Sequence, residues 1–132
     1  MKDEGCIKKE AKPMTQNDPP DLRMRTKQFA VRIIRLYGAL ANTSVAQVLR
    51  KQVLRSGTSV GAHYREGCRA RSTAEFISKL EGGLQELEET AYWLELLVEG
   101  EVLPADKLRS LQQETNELTA IFVTCVKQAK SE

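Results

Sequence analysis

Histidine, tryptophan and cysteine are scarce in this chain of 132 residues, which has one histidine, one tryptophan and three cysteines. Di-iron helical bundles need two Glu-x-x-His motifs, and here Val60 stands three residues before the single His63. The cysteines, Cys6, Cys68 and Cys125, lack metal-ligand spacing and are odd in number, which favours a reduced protein of the cytoplasm. We therefore predict no metal site and no cofactor.

Long apolar runs are absent as well. No stretch approaches the roughly 20 consecutive apolar residues of a membrane-spanning helix, and the N-terminus lacks the apolar segment of a signal peptide. We predict a single cytoplasmic domain with no membrane partner. The glycines lie within helical patterns and not in a phosphate-binding loop, so the sequence predicts no nucleotide site.

Apolar residues recur at helical spacing in four segments, and no segment alternates as a strand would. The predicted helices begin near residues 20, 45, 72 and 104 and have short connections, which makes neighbouring helices antiparallel. The sequence therefore predicts an all-α fold, an antiparallel up-down-up-down four-helix bundle over residues 20–130. The polar residues 1–19 are predicted to form a disordered N-terminal tail.

The predicted helix ends depend on residues with capping chemistry. Asp18 is the predicted N-cap of the first helix, and Ser44 is that of the second. Ser72 and Glu75 have the spacing of a capping box at the start of the third helix. Gly100 is the predicted stop of that helix, because glycine is favoured just beyond a helix end.

Apolar seams between helices are indicated by residues that repeat at alternating steps of three and four. On the second helix glycine occupies the seam at Gly57 and Gly67, although it costs about 1 kcal/mol in a helix interior. Two explanations are open, close packing between helices or a buried polar site. On the third helix the predicted seam is Leu80, Leu84, Leu87, Ala91, Leu94 and Val98.

Polar side chains accompany these glycines and form a predicted polar layer. A layer that fixes the register of the bundle is the favoured interpretation, and a ligand pocket is the alternative. Ser56 or Ser59 with His63 would supply a nucleophile and a base, but no oxyanion site accompanies them, so we predict no enzymatic activity. The predicted layer comprises Arg55, Ser56, Ser59, His63 and Glu66 on the second helix and Glu86, Glu89 and Trp93 on the third.

Charge is divided unevenly along the chain. Residues 1–71 contain 15 Lys/Arg and 6 Asp/Glu, whereas residues 72–132 contain 5 and 12. This division predicts either a polyanionic partner or mutual neutralisation of the two halves. An up-down topology collects acidic residues at one end of the bundle and cations at the other. The predicted basic pole comprises Arg23, Arg25, Lys27, Arg65, Arg69, Arg71, Lys127 and Lys130.

The chain carries FAVRIIRL at 29–36, LRSGTSVGAHYREG at 54–67 and ELEETAYWLELL at 86–97. Together these segments resemble the four-helix-bundle proteins encoded within intervening sequences of bacterial 23S ribosomal RNA, over about residues 22–126. The resemblance implies an antiparallel four-helix bundle assembled as a ring of five subunits. A related branch, the accessory proteins of diversity-generating retroelements, works with a reverse transcriptase and nucleic acid. His63 departs from the asparagine expected in this pattern.

The leading hypothesis is a non-enzymatic homo-oligomer that contacts RNA backbone through the basic pole. Its partners would be further copies of the chain, as a pentamer if the resemblance holds, and RNA or a nucleic-acid-processing protein. Aromatic residues are scarce near the basic pole, so we do not expect sequence-specific reading. The alternatives are a protein-binding scaffold without nucleic-acid contact and a small-molecule binder that uses the polar layer.

Overall fold

The computed structural model describes residues 21–132, and the predicted tail over 1–19 lies outside them. The described part contains four helices and no strand, which confirms the all-α prediction. They are α1 (Leu22–Ala39), α2 (Ser44–Cys68), α3 (Thr73–Glu99) and α4 (Ala105–Lys130). No helix of the described residues is long and apolar enough to cross a membrane.

Each helix packs against its neighbour in the chain, whereas α1 and α4 approach each other closely at only a few positions. The hydroxyl of Ser56 on α2 lies 2.8 Å from that of Thr90 on α3, and Phe122 of α4 packs on Gly83 of α3. These contacts between sequential helices are consistent with the predicted up-down bundle. The bundle is therefore closed tightly on three sides and more loosely between α1 and α4.

Two of the helix starts differ from the sequence prediction. The first helix begins at Leu22, and its N-cap is Asp21, whose carboxylate accepts a hydrogen bond from the backbone N–H of Met24; the predicted cap Asp18 lies outside the described residues. The second helix begins one residue early, because the hydroxyl of Thr43 accepts from the backbone N–H of Ala46. Threonine and serine cap equally through a hydroxyl, so sequence alone did not separate Thr43 from its neighbour.

α3 begins at a side-chain capping box and ends before a residue in the left-handed conformation. Ser72 accepts from the backbone N–H of Glu75 at 3.0 Å, and the Glu75 carboxylate accepts from the backbone N–H of Arg71 at 2.8 Å, as a capping box requires. At the other end the left-handed residue is Glu101, with φ of 61°, and not Gly100, whose φ is −80°. Gly100 is the first residue beyond the helix, as predicted, and the left-handed conformation lies one residue further on.

The glycines of α2 serve close packing between helices. A Cβ atom added to Gly57 would lie 2.7 Å from Cγ1 of Ile33 on α1, and one added to Gly67 would lie 2.8 Å from Cδ2 of Leu80 on α3. Real Cβ atoms do not approach other side chains so closely. Of the two explanations that the sequence left open, close packing accounts for these two seam positions.

The buried seam of α3 is shifted by one residue from the prediction at every second position. The prediction placed Leu84, Ala91 and Val98 in the seam, and the structure instead buries the residue before each of them. Gly83 is buried because Phe122 packs on it, and Thr90 is buried because it pairs with Ser56. The observed seam is Phe76, Leu80, Gly83, Leu87, Thr90, Leu94 and Leu97.

Candidate nucleic-acid interface and polar layer

The predicted basic pole is one end of the bundle. The start of α1, the end of α2, the start of α3 and the end of α4 meet there, since Gly61 packs on Thr26 and Gly67 packs on Leu80. Lys130, the last residue of α4, pairs with Glu81 of α3 at 3.2 Å. The structure thus brings the predicted cations to one end, although their side chains have different partners.

Arg25 faces α4 and is neutralised there. Its guanidinium donates to both carboxylate oxygens of Glu114, at 2.8 and 2.9 Å, and to Glu117 at 2.6 Å. The hydrogen bond to Glu114 is the main cause of the raised pKa of Arg25, which burial opposes. Because a bidentate pair of this kind is among the stronger charge-assisted contacts, Arg25 is a residue of the α1–α4 contact and not a free cation of the basic pole.

Lys130 is paired more weakly. Both side chains of its ion pair with Glu81 are about half exposed, at 58% and 50%. Exposed pairs of this kind contribute about 0–1 kcal/mol, so a phosphate group can compete for the ammonium. Lys130 therefore remains a candidate contact, whereas Arg25 does not.

The other six predicted cations form no ion pair with any described residue. Five of them are exposed, and Arg65 is half-buried. Cations without a protein counterion are the ones that can neutralise phosphates without first breaking a contact. These free cations of the basic pole are Arg23, Lys27, Arg65, Arg69, Arg71 and Lys127.

Charge also differs between the helices themselves. α1 contains five Lys/Arg and no Asp/Glu, and α2 contains four Lys/Arg and only Glu66 as an acid. α3 has seven glutamates and a single lysine, Lys79. The separation of charge is therefore from helix to helix as well as from end to end, with α1 and α2 basic and α3 acidic.

At the opposite, acidic end, two neighbouring cations of α2, Arg50 and Lys51, behave differently. Arg50 lies over the ring of Tyr37, 4.8 Å from its centroid, and donates to the backbone carbonyl of Leu40. Lys51 is exposed and has no ion pair with a described residue. The acidic residues of this end lie in the last turns of α3, in the following loop and in the first turn of α4: Glu95, Glu99, Glu101 and Asp106.

Only the centre of the predicted polar layer is inside the bundle. Ser56 and Thr90 are both fully buried and share a hydrogen bond of 2.8 Å. Thr90 also donates to the backbone carbonyl of Glu86 at 2.8 Å. Sequence reasoning missed Thr90 because threonine on a leucine-rich helix resembles a surface residue, and the complementary signal was Ser56 on the facing helix.

The remaining members of the layer lie along the outer edge of the α2–α3 contact. Arg55 pairs with Glu89 at 2.7 Å and with Glu86 at 3.5 Å. Nε2 of His63 lies 3.7 Å from the carboxylate of Glu86, and the His63 ring fills the space where Gly82 has no side chain. This arrangement joins α2 to α3, with the charge of Arg55 paired to glutamates across the contact.

Three further predicted members are not part of this charged cluster. Ser59 donates to the backbone carbonyl of Arg55 at 2.6 Å. Glu66 points along the surface to Lys79 at 3.1 Å, and Trp93 packs against Tyr92 with ring centroids 5.2 Å apart. The prediction that all eight side chains form one layer was therefore wrong, since helical spacing fixes a face to within about one residue either side.

The two predicted nucleophiles of the described residues, Ser56 and Ser59, are not paired with the predicted base His63. The hydroxyl of Ser56 hydrogen-bonds with Thr90 and a backbone carbonyl, and that of Ser59 donates to a backbone carbonyl. Neither hydroxyl bonds to His63. Burial raises the pKa of the Cys125 thiol, which disfavours the reactive thiolate. Among residues 21–132 no group of three or more His, Cys, Asp or Glu could hold a metal ion.

The helices and their seams can be compared with known proteins. Residues 21–124 match the family model of the 23S rRNA-intervening sequence protein. The chain belongs to this family. A crystal structure of a protein of unknown function from the S23 ribosomal protein family of Bacteroides thetaiotaomicron is similar, with 40% sequence identity and a TM-score of 0.76, and the match covers 80% of this chain and 95% of that one. No curated protein matches the chain.

The match confirms the family predicted from the sequence. Neither the name of the 23S rRNA-intervening sequence protein family nor the description of the solved relative assigns a catalytic activity. The comparisons therefore establish the family and its fold, and the function of this member has to be argued from its own charges and surfaces.

Proposed function

We propose that this family member is a non-enzymatic, cytoplasmic accessory protein that contacts RNA backbone through the free cations of the basic pole. One observation carries the proposal. Six cations gathered at one end of the bundle have no counterion among the described residues, although the chain has nearly as many acidic residues as basic ones. A protein that needed its charges only for solubility would not require them to be unpaired and on one side.

The position of Arg23 supports the same proposal. It lies in the first turn of α1, where the helix macrodipole disfavours a cation by a few tenths of a kcal/mol. Stability of α1 therefore does not explain an arginine at this position, whereas a phosphate partner does. Binding that neutralises several phosphates releases counterions, so affinity should fall steeply as the salt concentration rises.

Two matched charge reversals test the proposal. Arg23→Glu with Arg69→Glu changes two free cations of the basic pole, and Lys107→Glu with Arg109→Glu makes the same charge change at the start of α4, at the opposite end. We expect the first variant to lose at least about tenfold in affinity for labelled RNA, as two lost phosphate contacts imply, and the second to lose far less. Equal losses, with helicity by circular dichroism intact in both, would defeat the proposal.

We further propose that the protein self-associates, with the ring of five subunits as the expected assembly. Support comes from exposed apolar side chains at the start of α2, where Val45 and Val48 are each 61% exposed. Light-scattering mass with the 260/280 nm absorbance ratio, at low and then at high salt, measures assembly and bound nucleic acid together. A ring-sized mass with a nucleic-acid signal that salt removes is the expected result.

A protein-binding scaffold is the second candidate, and the charge of α3 favours it. Seven glutamates on one helix, with Tyr92 half exposed among them, would suit a basic protein partner. This candidate predicts an assembly that carries no nucleic acid at low salt and that dissociates at high salt. The same light-scattering measurement therefore separates the two candidates.

A further inference from the structure

The α1–α2 side of the bundle presents two adjacent helix edges, one of α1 with cations in its first two turns and one of α2 with a cation near each end. Helical spacing puts Arg23, Lys27 and Ile34 on one edge of α1. Tyr37 is the next residue along this edge, and the guanidinium of Arg50 of α2 lies over its ring. The edge therefore lies beside α2. We name the surface formed by this edge and the facing edge of α2 the basic face. It extends beyond the basic pole along the length of the helices.

The facing edge of α2 carries Lys51, Thr58 and Arg65 at intervals of seven residues. Gly61 packs on Thr26, which places Arg65 at the level of the first turn of α1, across from Arg23. From Lys51 to Arg65 the edge is about 21 Å long at 1.5 Å per helical residue. Cations therefore stand on two rigid helices at fixed separations, along and across the basic face.

Acidic residues do not interrupt this surface. α1 has none, and the one acid of α2, Glu66, pairs with Lys79 on the α3 side. Neither Lys51 nor Arg65 has an ion pair with a described residue. A long phosphate backbone can therefore follow these edges of α1 and α2 without meeting an unpaired acid of either helix.

Free aromatic rings are missing from the same surface. Its aromatic residue, Tyr37, is half-buried and covered by the guanidinium of Arg50. Tyr92 and Trp93 belong to α3, on the acidic side of the bundle. Proteins that hold single strands combine cations with aromatic platforms on which unpaired bases stack, and the basic face supplies only the cations.

We propose that the basic face binds double-helical nucleic acid along its length, through the phosphate backbone. In a duplex the bases are already stacked and the phosphates stand in regular rows, which rigid rows of cations can match. Double-stranded RNA is recognised mainly by such shape and backbone contacts. This inference rests on the proposed function, because it specifies the form of nucleic acid that the free cations contact.

Fluorescence anisotropy with three labelled probes tests the inference on the full chain. The probes are a short RNA duplex, a DNA duplex of the same length, and an unstructured oligouridine with the same number of phosphates as the RNA duplex. We expect both duplexes to bind at least about tenfold more tightly than oligouridine, which finds no stacking platform. Comparison of the two duplexes shows whether backbone alone or the 2′-hydroxyl of RNA is also recognised; either result supports duplex binding.

A substitution at Lys51 tests whether duplexes bind to the basic face itself, or bind more tightly only because any cation of the protein is attracted to their dense phosphates. Lys51→Glu alters the basic face outside the basic pole, and Lys107→Glu makes the same charge change on α4. We expect Lys51→Glu to weaken duplex binding several-fold more than Lys107→Glu, with little difference between them on oligouridine. Equal effects of the two variants on the duplex, or oligouridine bound as tightly as the duplexes, would overturn the inference.

The two proposals fail in distinguishable ways. If wild-type protein binds oligouridine well and Arg23→Glu with Arg69→Glu abolishes that binding, RNA contact at the basic pole stands and the duplex inference is wrong. If wild-type protein binds none of the three probes at low salt, both are wrong.

Discussion

Position 57 shows how a single residue controls the distance between two helices. Gly57 lies in the middle of α2, where alanine would favour the helix by about 1 kcal/mol, and Ile33 of α1 fills the space that a side chain would occupy. Ile33 is fully buried and branched at Cβ, so it cannot swing away. Glycine at position 57 thus lowers the helix propensity of α2 but allows α1 to pack closely on it.

We expect Gly57→Ala to lower the free energy of unfolding by up to about 2 kcal/mol, because overpacking of a core costs about 1–3 kcal/mol and the gain in helix propensity offsets about 1 kcal/mol of it. Gly38→Ala is the matched control, since nothing lies within 4 Å of the added Cβ and residue 38 is exposed. This control should be neutral or stabilising. Urea unfolding followed by circular dichroism measures both; a Gly57→Ala protein as stable as the Gly38→Ala protein would contradict the packing explanation.

Ser56 and Thr90 mark the limit of residue-level prediction. Each could be recognised as a polar residue near a seam, but a buried hydroxyl is tolerated only with a partner, and the partner lies 34 residues away on the next helix. The sequence indicated Ser56 because glycines flank it in a seam. It did not indicate Thr90, whose burial depends on the register between α2 and α3.

Among the elements, α1 and α4 form the least extensive contact, and polar side chains supply part of it. Arg25 reaches Glu114 and Glu117 of α4, and Arg32 donates to the hydroxyl of Ser110 at 2.9 Å. Few apolar residues support these bonds, since α1 and α4 approach closely at only a few positions. The Arg25 ion pairs therefore contribute more to holding the first turns of α1 against α4 than a surface ion pair usually contributes to stability.

We expect Arg25→Met to lower the free energy of unfolding by about 1–3 kcal/mol, because it leaves the largely buried Glu114 carboxylate without its charge-assisted hydrogen bonds. Amide hydrogen exchange should quicken in the first turns of α1 and change little in α3. Lys130→Met removes an exposed ion pair and should change stability by no more than about 1 kcal/mol. Equal destabilisation by the two variants would show that Arg25 does not hold α1 to α4.

At the scale of the whole molecule, charge and apolar exposure are distributed unequally over the surface. The α1–α2 side is basic and α3 is acidic, and exposed apolar side chains stand at the start of α2. The exposed apolar side chains favour contact between copies through the start of α2, since a contiguous apolar patch typically marks an interface. The modest net charge of +2 conceals this division.

We expect Val45→Glu with Val48→Glu to reduce the light-scattering mass toward that of the 14.8 kDa chain. Acidic residues are favourable at a helix start, so the change should not unfold α2. Met24→Glu is the control, because Met24 is also half exposed and lies in the first turn of α1. An unchanged assembly in the α2 variant would show that this patch is not an interface between copies.

The sequence by itself determined the four helices, their antiparallel order, their family and the basic end of the bundle, because apolar periodicity, short connections and charge are properties of neighbouring residues. Only the tertiary structure decided which cations are free. Arg23 and Arg25 are two residues apart on the same basic helix, yet Arg25 meets Glu114, 89 residues along the chain, and Arg23 meets no acid among residues 21–132. Such pairing depends on the offset and angle between helices, and a shift of one residue turns a side chain by about 100°.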